Sequence, residues 1–325
     1  MQLPSFADVQ DAAARLKGRI RRTPMLRHPV LDAAAGGVVL VKPEPLQITG
    51  SFKLRGATNA LLRMEEAARR RGVVTHSSGN HGQAVACAAA GLGMPALIAM
   101  PADAPRVKVD ATRRWGAEIH PFDRHGVDRE ALAVQLAEER GATVIPPFDH
   151  PDVIVGQGTA FLELLEDAAA QGFKPDLLCV CTGGGGLLAG SALSAKALAP
   201  QAALYAAEPE GWDDYGRSLR EGKRVANDGS GENLCDALLS KQPGVLTFAI
   251  NQPRVAAGVV VTRAEVFAAM RFAFTHLKLV VEPGGAVALA ALLAGKLPSR
   301  DAVTGIILSG GNVDGAVFSE ALAAA

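Results

Sequence analysis

Short apolar runs rich in β-branched residues alternate with longer Ala- and Leu-rich stretches along most of this chain. The runs that mark candidate strands are residues 38–41, 72–75, 95–100, 117–119, 177–181, 203–207 and 303–308. Candidate helices between them include residues 82–90, 129–140 and 185–198. Such alternation is typical of parallel sheets with helices on both faces. The pattern therefore predicts an α/β fold, and the grouping of the runs before and after about residue 150 predicts two parallel-sheet domains.

The size and charge balance of the chain exclude several functional classes. Its 325 residues are enough to build a large core. Thirty-three basic residues cancel thirty-three acidic ones, so no overall field attracts nucleic acid or an anionic membrane. No apolar run is long enough to cross a bilayer, and the first residues lack a signal-peptide pattern. We therefore expect a cytoplasmic protein that acts on a small molecule, with no nucleic-acid or membrane partner.

The lysine at position 53 stands in an unusual local setting. It follows Phe52 and lies between Gly50 and Gly56, where a loop runs into a helix-like segment. Lysine normally keeps its ammonium group in water. A lysine beside an aromatic ring on a tight loop is instead a candidate nucleophile for a carbonyl group. Lys53 is thus the first candidate for a catalytic residue.

One glycine-containing loop follows the candidate strand at residues 72–75, where ligands bind in α/β folds. It contains Ser77, Ser78, Asn80 and His81 and opens a helix. Hydroxyl and amide groups beside a helix N-terminus can bind a carboxylate or a phenolic oxygen. Serine and asparagine are also the favoured helix caps, so a purely structural role is equally consistent with this loop alone.

Two further loops of this kind follow later strands. Gly183, Gly184, Gly185 and Gly186 are consecutive, and their unshielded amides at a helix start are suited to a phosphate. Four glycines in a row also carry an entropic cost that an ordinary turn rarely requires. After the last strand, Ser309 precedes two glycines and can offer a neutral hydroxyl to a ring nitrogen, although an ordinary turn would look the same.

The four-glycine loop permits a second interpretation. Gly184, Gly186 and Ala189 match a dinucleotide-binding pattern, and Glu208 ends the next candidate strand at roughly the distance expected of a ribose-binding acid. On this loop alone, a nicotinamide-dependent oxidoreductase is nearly as well supported as a simple phosphate site. A dinucleotide, however, gives Lys53 and the first loop no function.

An amine, a phosphate loop, a hydroxyl and amide loop and a neutral partner for a ring nitrogen together describe a pyridoxal phosphate site. The chain resembles the fold type II pyridoxal-phosphate enzymes, in particular the serine/threonine dehydratase and serine racemase family, from Arg22 to Asn312. The resemblance implies two α/β domains. The smaller and mobile one, residues 72–149, is inserted in a large cofactor-binding domain of residues 1–71 and 150–325.

The resemblance also implies roles for individual residues. Lys53 forms the Schiff base with the cofactor and removes the α-proton of the substrate. The implied cofactor contacts are Phe52, Lys53, Asn80, Gly183, Gly184, Gly185, Gly186 and Ser309. The substrate carboxylate is held by the loop that carries Ser77, Ser78 and His81.

For the substrate, the resemblance favours dehydration of L-threonine or L-serine to 2-oxobutanoate or pyruvate plus ammonia. Ser78 stands where racemase-like members carry serine, so it could return a proton from the face opposite Lys53 and racemise serine. Binding the substrate carboxylate is at least as good an account of Ser78. Arg129 resembles an arginine that reaches toward the substrate in racemase-like members. It could hold a second carboxylate and favour 3-hydroxyaspartate, although a solvated arginine is the more common case at a helix start.

A divalent cation and a second copy of the chain are also implied by the resemblance. Glu208, the Trp212 carbonyl and Asp214 match the family's cation loop, and oxygen ligands suit Mg²⁺, Ca²⁺ or Mn²⁺. The residue types between these ligands depart from the family's usual ones. Glu282 also matches a family position near the cofactor, but the sequence does not indicate its function. Family members commonly form homodimers.

Overall fold

The computed structural model describes residues 3–77, 79–104, 106–123, 126–228 and 234–324, with Val107 described by its backbone alone. The strands are β1 (Val38–Pro43), β2 (Val73–His76), β3 (Ala96–Pro101), β4 (Glu118–Phe122), β5 (Thr143–Val144), β6 (Leu177–Cys181), β7 (Ala203–Pro209), β8 (Val255–Val261) and β9 (Val303–Leu308). The α-helices are α1 (Phe6–Leu16), α2 (Pro29–Ala35), α3 (Lys53–Arg63), α4 (Glu66–Arg71), α5 (Asn80–Gly91), α6 (Arg106–Arg114), α7 (Arg129–Arg140), α8 (Pro151–Ala170), α9 (Gly186–Leu198), α10 (Asp214–Glu221), α11 (Val245–Asn251), α12 (Arg263–Phe272), α13 (Pro283–Leu293) and α14 (Gly315–Ala323).

These strands form two parallel sheets, which confirms the predicted α/β class. The larger sheet has the order β1-β9-β6-β7-β8, and the smaller sheet has the order β4-β3-β2-β5. Strands β1 and β6 both pair with β9 in the larger sheet, whereas β2 to β5 form the smaller sheet. The chain therefore leaves the larger sheet after β1 and returns to it at β6. The predicted limits of an inserted domain, at residues 72 and 149, remain a prediction. Strand β8 is absent from the runs that the sequence suggested, because Gly258 and two alanines weaken its β-strand signal.

Helix α3 is held against the helices of the larger sheet by a close backbone contact. It packs on α8, which in turn packs on α9. A Cβ atom added to Gly156 of α8 would lie 2.7 Å from the Cα atom of Gly56 in α3. Only glycine allows the two helices to approach so closely. The first turn of α3, which carries Lys53, is therefore fixed three residues from a tight helix crossing.

Across the described residues, no helix combines the length and apolar character needed to span a membrane.

Candidate active site

The three loops singled out by sequence meet at one pocket. They follow β2, β6 and β9, at the carboxyl ends of strands from both sheets. The predicted residues that line the pocket are Phe52, Lys53, Ser77, Asn80, His81, Arg129, Gly183, Gly184, Gly185, Gly186 and Ser309. Ser78, the predicted second proton carrier, lies outside the described residues. Ligands bind at such strand ends in open α/β sheets, so this pocket is the candidate active site.

The Lys53 side chain is half-buried and lines the pocket. Its Nζ atom donates a hydrogen bond to the Pro147 carbonyl at 2.7 Å and lies 5.2 Å from the centre of the Phe52 ring. Burial lowers the pKa of Lys53 to about 8, although electrostatic interactions with Cys181 and Glu282 act to raise it. A lysine with this pKa is partly neutral near physiological pH and can act as a nucleophile or a base.

The turn that carries Lys53 is anchored by a buried ionic cluster. Arg55, two residues further along α3, donates to both carboxylate oxygens of Glu44 at 2.8 Å and of Glu163 at 2.9 Å. Lys42 pairs with Glu163 at 2.7 Å, and the side chains of Arg55, Glu44 and Lys42 have no exposed surface. Two bidentate pairs fix the guanidinium in one orientation. The cluster therefore restrains the helix start from which Lys53 projects.

The Lys53 turn is also joined directly to the Ser309 loop. The Phe52 amide donates to the Ser309 carbonyl at 3.0 Å, and the Gly311 amide donates to the Gly50 carbonyl at 2.8 Å. The Ser309 side chain is almost fully buried, and burial raises the pKa of the nearby Cys181 thiol to about 11. The two loops are thus held at a fixed separation by backbone bonds.

Two carbonyl groups of the four-glycine loop accept hydrogen bonds from neighbouring residues. The Gly184 carbonyl accepts from Thr247 Oγ1 at 2.7 Å and from the Gly244 amide at 3.2 Å, and the Gly185 carbonyl accepts from Asn251 Nδ2 at 3.3 Å. Within the described part of the chain, the amides of Gly183–Gly186 donate to no protein acceptor. These unpartnered amides at the N-terminus of α9 form an anion-binding site.

The structure also supplies steric reasons for these glycines, which the sequence argument judged hard to find. A Cβ atom on Gly184 would lie 2.5 Å from the Phe148 ring, and one on Gly185 would lie 2.4 Å from the Tyr215 ring. Gly185 has a φ of +91°, a left-handed conformation that favours glycine. Glycine content alone is therefore weaker support for phosphate binding than the unpartnered amides.

The Asn80 side chain is held between two residues of the larger sheet's loops. Its Nδ2 atom donates to Glu282 Oε1 at 2.6 Å, and its Oδ1 atom accepts from Asn312 Nδ2 at 2.7 Å. Burial raises the pKa of Glu282 to about 7, which the Asn80 hydrogen bond opposes. The structure gives Glu282, which had no role from sequence, a direct contact with a candidate cofactor ligand. The second Nδ2 hydrogen of Asn80 remains available to a ligand oxygen.

The wall on the smaller sheet's side carries His76, His81 and the guanidinium group of Arg129. Burial, with the Lys53 charge, lowers the pKa of His81 to about 3, and its Nε2 atom lies 3.0 Å from the Ile145 carbonyl. Burial and the nearby Arg129 charge lower the pKa of His76 to about 4. Arg129, the first residue of α7, is exposed and lines the pocket. The imidazoles therefore add no positive charge to this wall, whose cations are Arg129 and Lys108, the latter paired with Asp236.

Several pocket residues escaped the sequence analysis. Phe148 packs against the four-glycine loop, and Cys181 lies directly before it at the end of β6. Lys108 forms an ion pair with Asp236 across the pocket, and both residues line it. The position of Cys181 at a strand end was a usable signal. The other three are brought to the pocket by contacts distant in sequence and carry no local pattern.

The predicted cation ligands lie outside this pocket. Glu208 is buried and accepts from the amides of Tyr215 and Gly216 at 2.8 and 2.7 Å. Burial, together with the charge of Asp214, raises the pKa of Glu208 well above its ordinary value. Asp214 accepts from Asn227 Nδ2 at 2.6 Å, burial raises its pKa to about 7, and its Oδ2 atom has no hydrogen-bond partner among the described residues. Two buried carboxyls with an unpartnered oxygen fit a divalent cation.

Within the described ranges, no group of three or more His, Cys, Asp and Glu side chains is arranged to hold a metal. Trp212 stands between Glu208 and Asp214 in the sequence, and its backbone amide donates a hydrogen bond to the Pro209 carbonyl at 3.1 Å. A cation here would need backbone carbonyls or water to complete the two carboxylates.

Comparisons with known proteins place the chain in a family. Residues 16–310 match the model of the pyridoxal-phosphate dependent enzymes. The chain is 48% identical to an L-threo-3-hydroxyaspartate ammonia-lyase from a Pseudomonas species, over 97% of each chain. It is 42% identical to a serine racemase from Schizosaccharomyces pombe, over 96% of this chain and 95% of the relative. The structure of maize serine racemase matches with a TM-score of 0.92 and 36% identity, over 99% of this chain and 97% of the other.

The chain therefore belongs to the pyridoxal-phosphate dependent enzyme family, among relatives named as ammonia-lyases and serine racemases. The predicted family and fold are confirmed. The residues present also fit the cofactor, since the pocket combines a buried amine of lowered pKa, unpartnered glycine amides and a neutral serine hydroxyl. The oxidoreductase alternative is wrong, because the family match covers the four-glycine loop. In addition, both carboxylate oxygens of Glu208 accept hydrogen bonds from backbone amides at the start of α10.

Proposed function

We propose that this chain is a pyridoxal-phosphate-dependent ammonia-lyase whose preferred substrate is 3-hydroxyaspartate. The observation that carries the proposal is the position of Arg129, which lines the Lys53 pocket from the smaller sheet's side. A guanidinium there can pair with a carboxylate on the substrate's β-carbon, which threonine and serine lack. The name of the Pseudomonas relative supports the same substrate. The comparisons thus favour this alternative over the threonine and serine that the sequence ranked first.

Several residues have proposed contacts with the cofactor. When bound, pyridoxal phosphate supplies an aldehyde that condenses with amines and an electron-poor ring that draws charge from the substrate's α-carbon. The amides of Gly183–Gly186 would bind its phosphate, Asn80 its phenolic oxygen and Ser309 its ring nitrogen, with Phe52 near the ring. A serine hydroxyl cannot stabilise a protonated ring nitrogen as a carboxylate would, which favours elimination over transamination.

Lys53 has two proposed tasks, to hold the cofactor and to take the proton from the substrate's α-carbon. Its lowered pKa of about 8 keeps part of the amine neutral at physiological pH, as a base requires. Ser77, with Ser78 as predicted, would hold the α-carboxylate at the start of α5. His81 is less suited to that task, because burial keeps its imidazole neutral. Loss of the β-hydroxyl and hydrolysis would release the 2-oxo diacid and ammonia.

Glu208 and Asp214, with the Trp212 carbonyl, are the proposed ligands of Mg²⁺, Ca²⁺ or Mn²⁺. Support comes from the burial of both carboxyls and the unpartnered Asp214 oxygen. The homodimer implied by the resemblance stays a prediction, which light scattering would test.

A substrate panel tests the function. We expect release of 2-oxo acid to be fastest with a 3-hydroxyaspartate isomer and slower with L-threonine and L-serine. Arg129→Ala should lower kcat/KM for the diacid about 10- to 150-fold, the effect of losing a charged hydrogen bond of about 1.5–3 kcal/mol. Its effect on threonine should stay below about threefold, because threonine has no second carboxylate to pair with Arg129. The matched control is Arg140→Ala, at the other end of α7, where the side chain pairs with Glu118.

A wild-type preference for threonine, or an equal loss with both substrates in Arg129→Ala, would contradict the proposal. Formation of D-serine from L-serine would instead favour racemisation, the second alternative raised by the sequence.

A further inference from the structure

A continuous line of buried contacts connects the Glu208–Asp214 carboxylate pair with the four-glycine loop. It begins where the Tyr215 amide donates to Glu208 Oε1 at 2.8 Å. Tyr215 directly follows Asp214 in α10, so both members of the pair restrain the same turn of helix. Neither carboxylate lines the Lys53 pocket, and any influence on the pocket must pass through neighbouring residues.

The Tyr215 side chain reaches the four-glycine loop at Gly185. Ring carbon atoms and the hydroxyl oxygen of Tyr215 lie 2.4–2.7 Å from the position that a Cβ atom of Gly185 would occupy. The ring is therefore packed directly against the left-handed turn that precedes α9. Any shift of this ring displaces the turn or opens a gap beside it, since protein interiors are close-packed.

Asn251, the last residue of α11, closes the connection by hydrogen bonds. Its Nδ2 group donates to the Tyr215 hydroxyl at 2.6 Å and to the Gly185 carbonyl at 3.3 Å. Both Tyr215 and Asn251 have no exposed surface. One amide group thus holds the tyrosine ring and the orientation of the Gly185 peptide together, away from solvent.

We propose that Tyr215 and Asn251 are positioning residues that couple the Glu208–Asp214 pair to the Gly185 turn, so that a divalent cation at the pair tightens the hold on the cofactor phosphate. The inference rests on the proposed cation site. A cation bound by Glu208 fixes the carboxylate to which the Tyr215 amide donates, and thereby the ring that supports Gly185. Because binding coupling is reciprocal, a bound cofactor should also tighten the cation.

Cofactor release from holoenzyme stripped of cations with EDTA tests this coupling. Calorimetry measures Ca²⁺ binding, visible absorbance follows cofactor release, and ³¹P NMR reports the environment of the bound phosphate. We expect Ca²⁺ to tighten cofactor binding about fivefold or more in the wild type, the lower end of usual coupling between two sites, and to slow cofactor release. In Tyr215→Phe, which removes only the hydroxyl, the Ca²⁺ effect should fall below about twofold while Ca²⁺ still binds. Tyr205→Phe, in β7, is the matched control and should keep the full effect.

The outcomes separate the coupling from the cation site on which it rests. An equal Ca²⁺ effect in the wild type and Tyr215→Phe overturns the coupling, as does Ca²⁺ binding to the wild type without any change in release or phosphorus shift. Absence of Ca²⁺ binding overturns both the cation site and the coupling. It does not bear on the lyase proposal, which the substrate panel tests separately. If Tyr215→Phe fails to fold, Asn251→Ala makes the same test through the Gly185 carbonyl.

Discussion

The two walls of the Lys53 pocket are built differently. On the larger sheet's wall, the Lys53 turn, the four-glycine loop and Ser309 are half-buried to buried and cross-bonded, with fully buried Arg55 and Asn251 behind them. On the smaller sheet's wall, Arg129 is exposed at the start of α7. The difference indicates that the chemistry assigned to the cofactor depends on a fixed structure, whereas the group assigned to substrate choice can change at little cost to the fold.

The most severe test of the larger sheet's wall is Lys53→Ala. We expect activity to fall at least about 10³-fold, within the range for loss of an acid–base group, and the visible absorbance of the holoenzyme to change. Lys174→Ala, at an exposed lysine before the N-terminal end of β6 and so at the end of the strand opposite the pocket, should leave both unchanged. Retained activity in Lys53→Ala would remove the central residue of the proposed mechanism.

The ionic cluster behind Lys53 should have the next largest effect, on stability. Arg55→Leu leaves the buried Glu44 without its Arg55 partner and leaves Glu163 with Lys42 alone, which costs about 3–5 kcal/mol of unfolding free energy. Arg22→Leu, which breaks half-exposed pairs with Glu166 and Asp167, should cost about 1 kcal/mol or less. Urea unfolding of the cofactor-free proteins measures both. Similar losses in the two variants would show that burial does not distinguish these clusters.

The sequence predicted the site residues that stand in short local motifs, but not the pairs of residues that are far apart in the sequence. The four glycines and Ser309 stand in short patterns at strand ends, where an α/β fold brings loops together, and Lys53 stands in a glycine-flanked turn at a helix start. Tyr215 and Asn251, by contrast, are 36 residues apart, and Lys108 and Asp236 are 128 residues apart. No local pattern marks such pairs, because only the packing of elements that are distant in sequence brings them together.

The pH dependence of stability tests the burial of Lys53 itself. Burial lowers its pKa from 10.5 to about 8, so the folded state releases this proton before the unfolded state does. The cost of burying the charge, about 3 kcal/mol, is present below pH 8 and disappears between pH 8 and 10.5. In cofactor-free protein, Lys53→Met should therefore be more stable than wild type at pH 7, by a margin that shrinks as the pH approaches 10. A margin independent of pH would mean that Lys53 is not desolvated.

The Lys108–Asp236 ion pair, one of the contacts that join the two walls, should have the smallest effect. Lys108 of α6 pairs with Asp236, but the Asp236 side chain is 47% exposed, so water and salt screen the pair. We expect Lys108→Met to lower the unfolding free energy by about 1 kcal/mol or less, and 0.5 M salt to reduce the difference further. A double-mutant cycle with Asp236→Asn isolates the pair from other effects of each change. A coupling above about 2 kcal/mol would mean that the walls are bound more firmly than an exposed ion pair allows, and the smaller sheet's wall would then no longer be the more adaptable one.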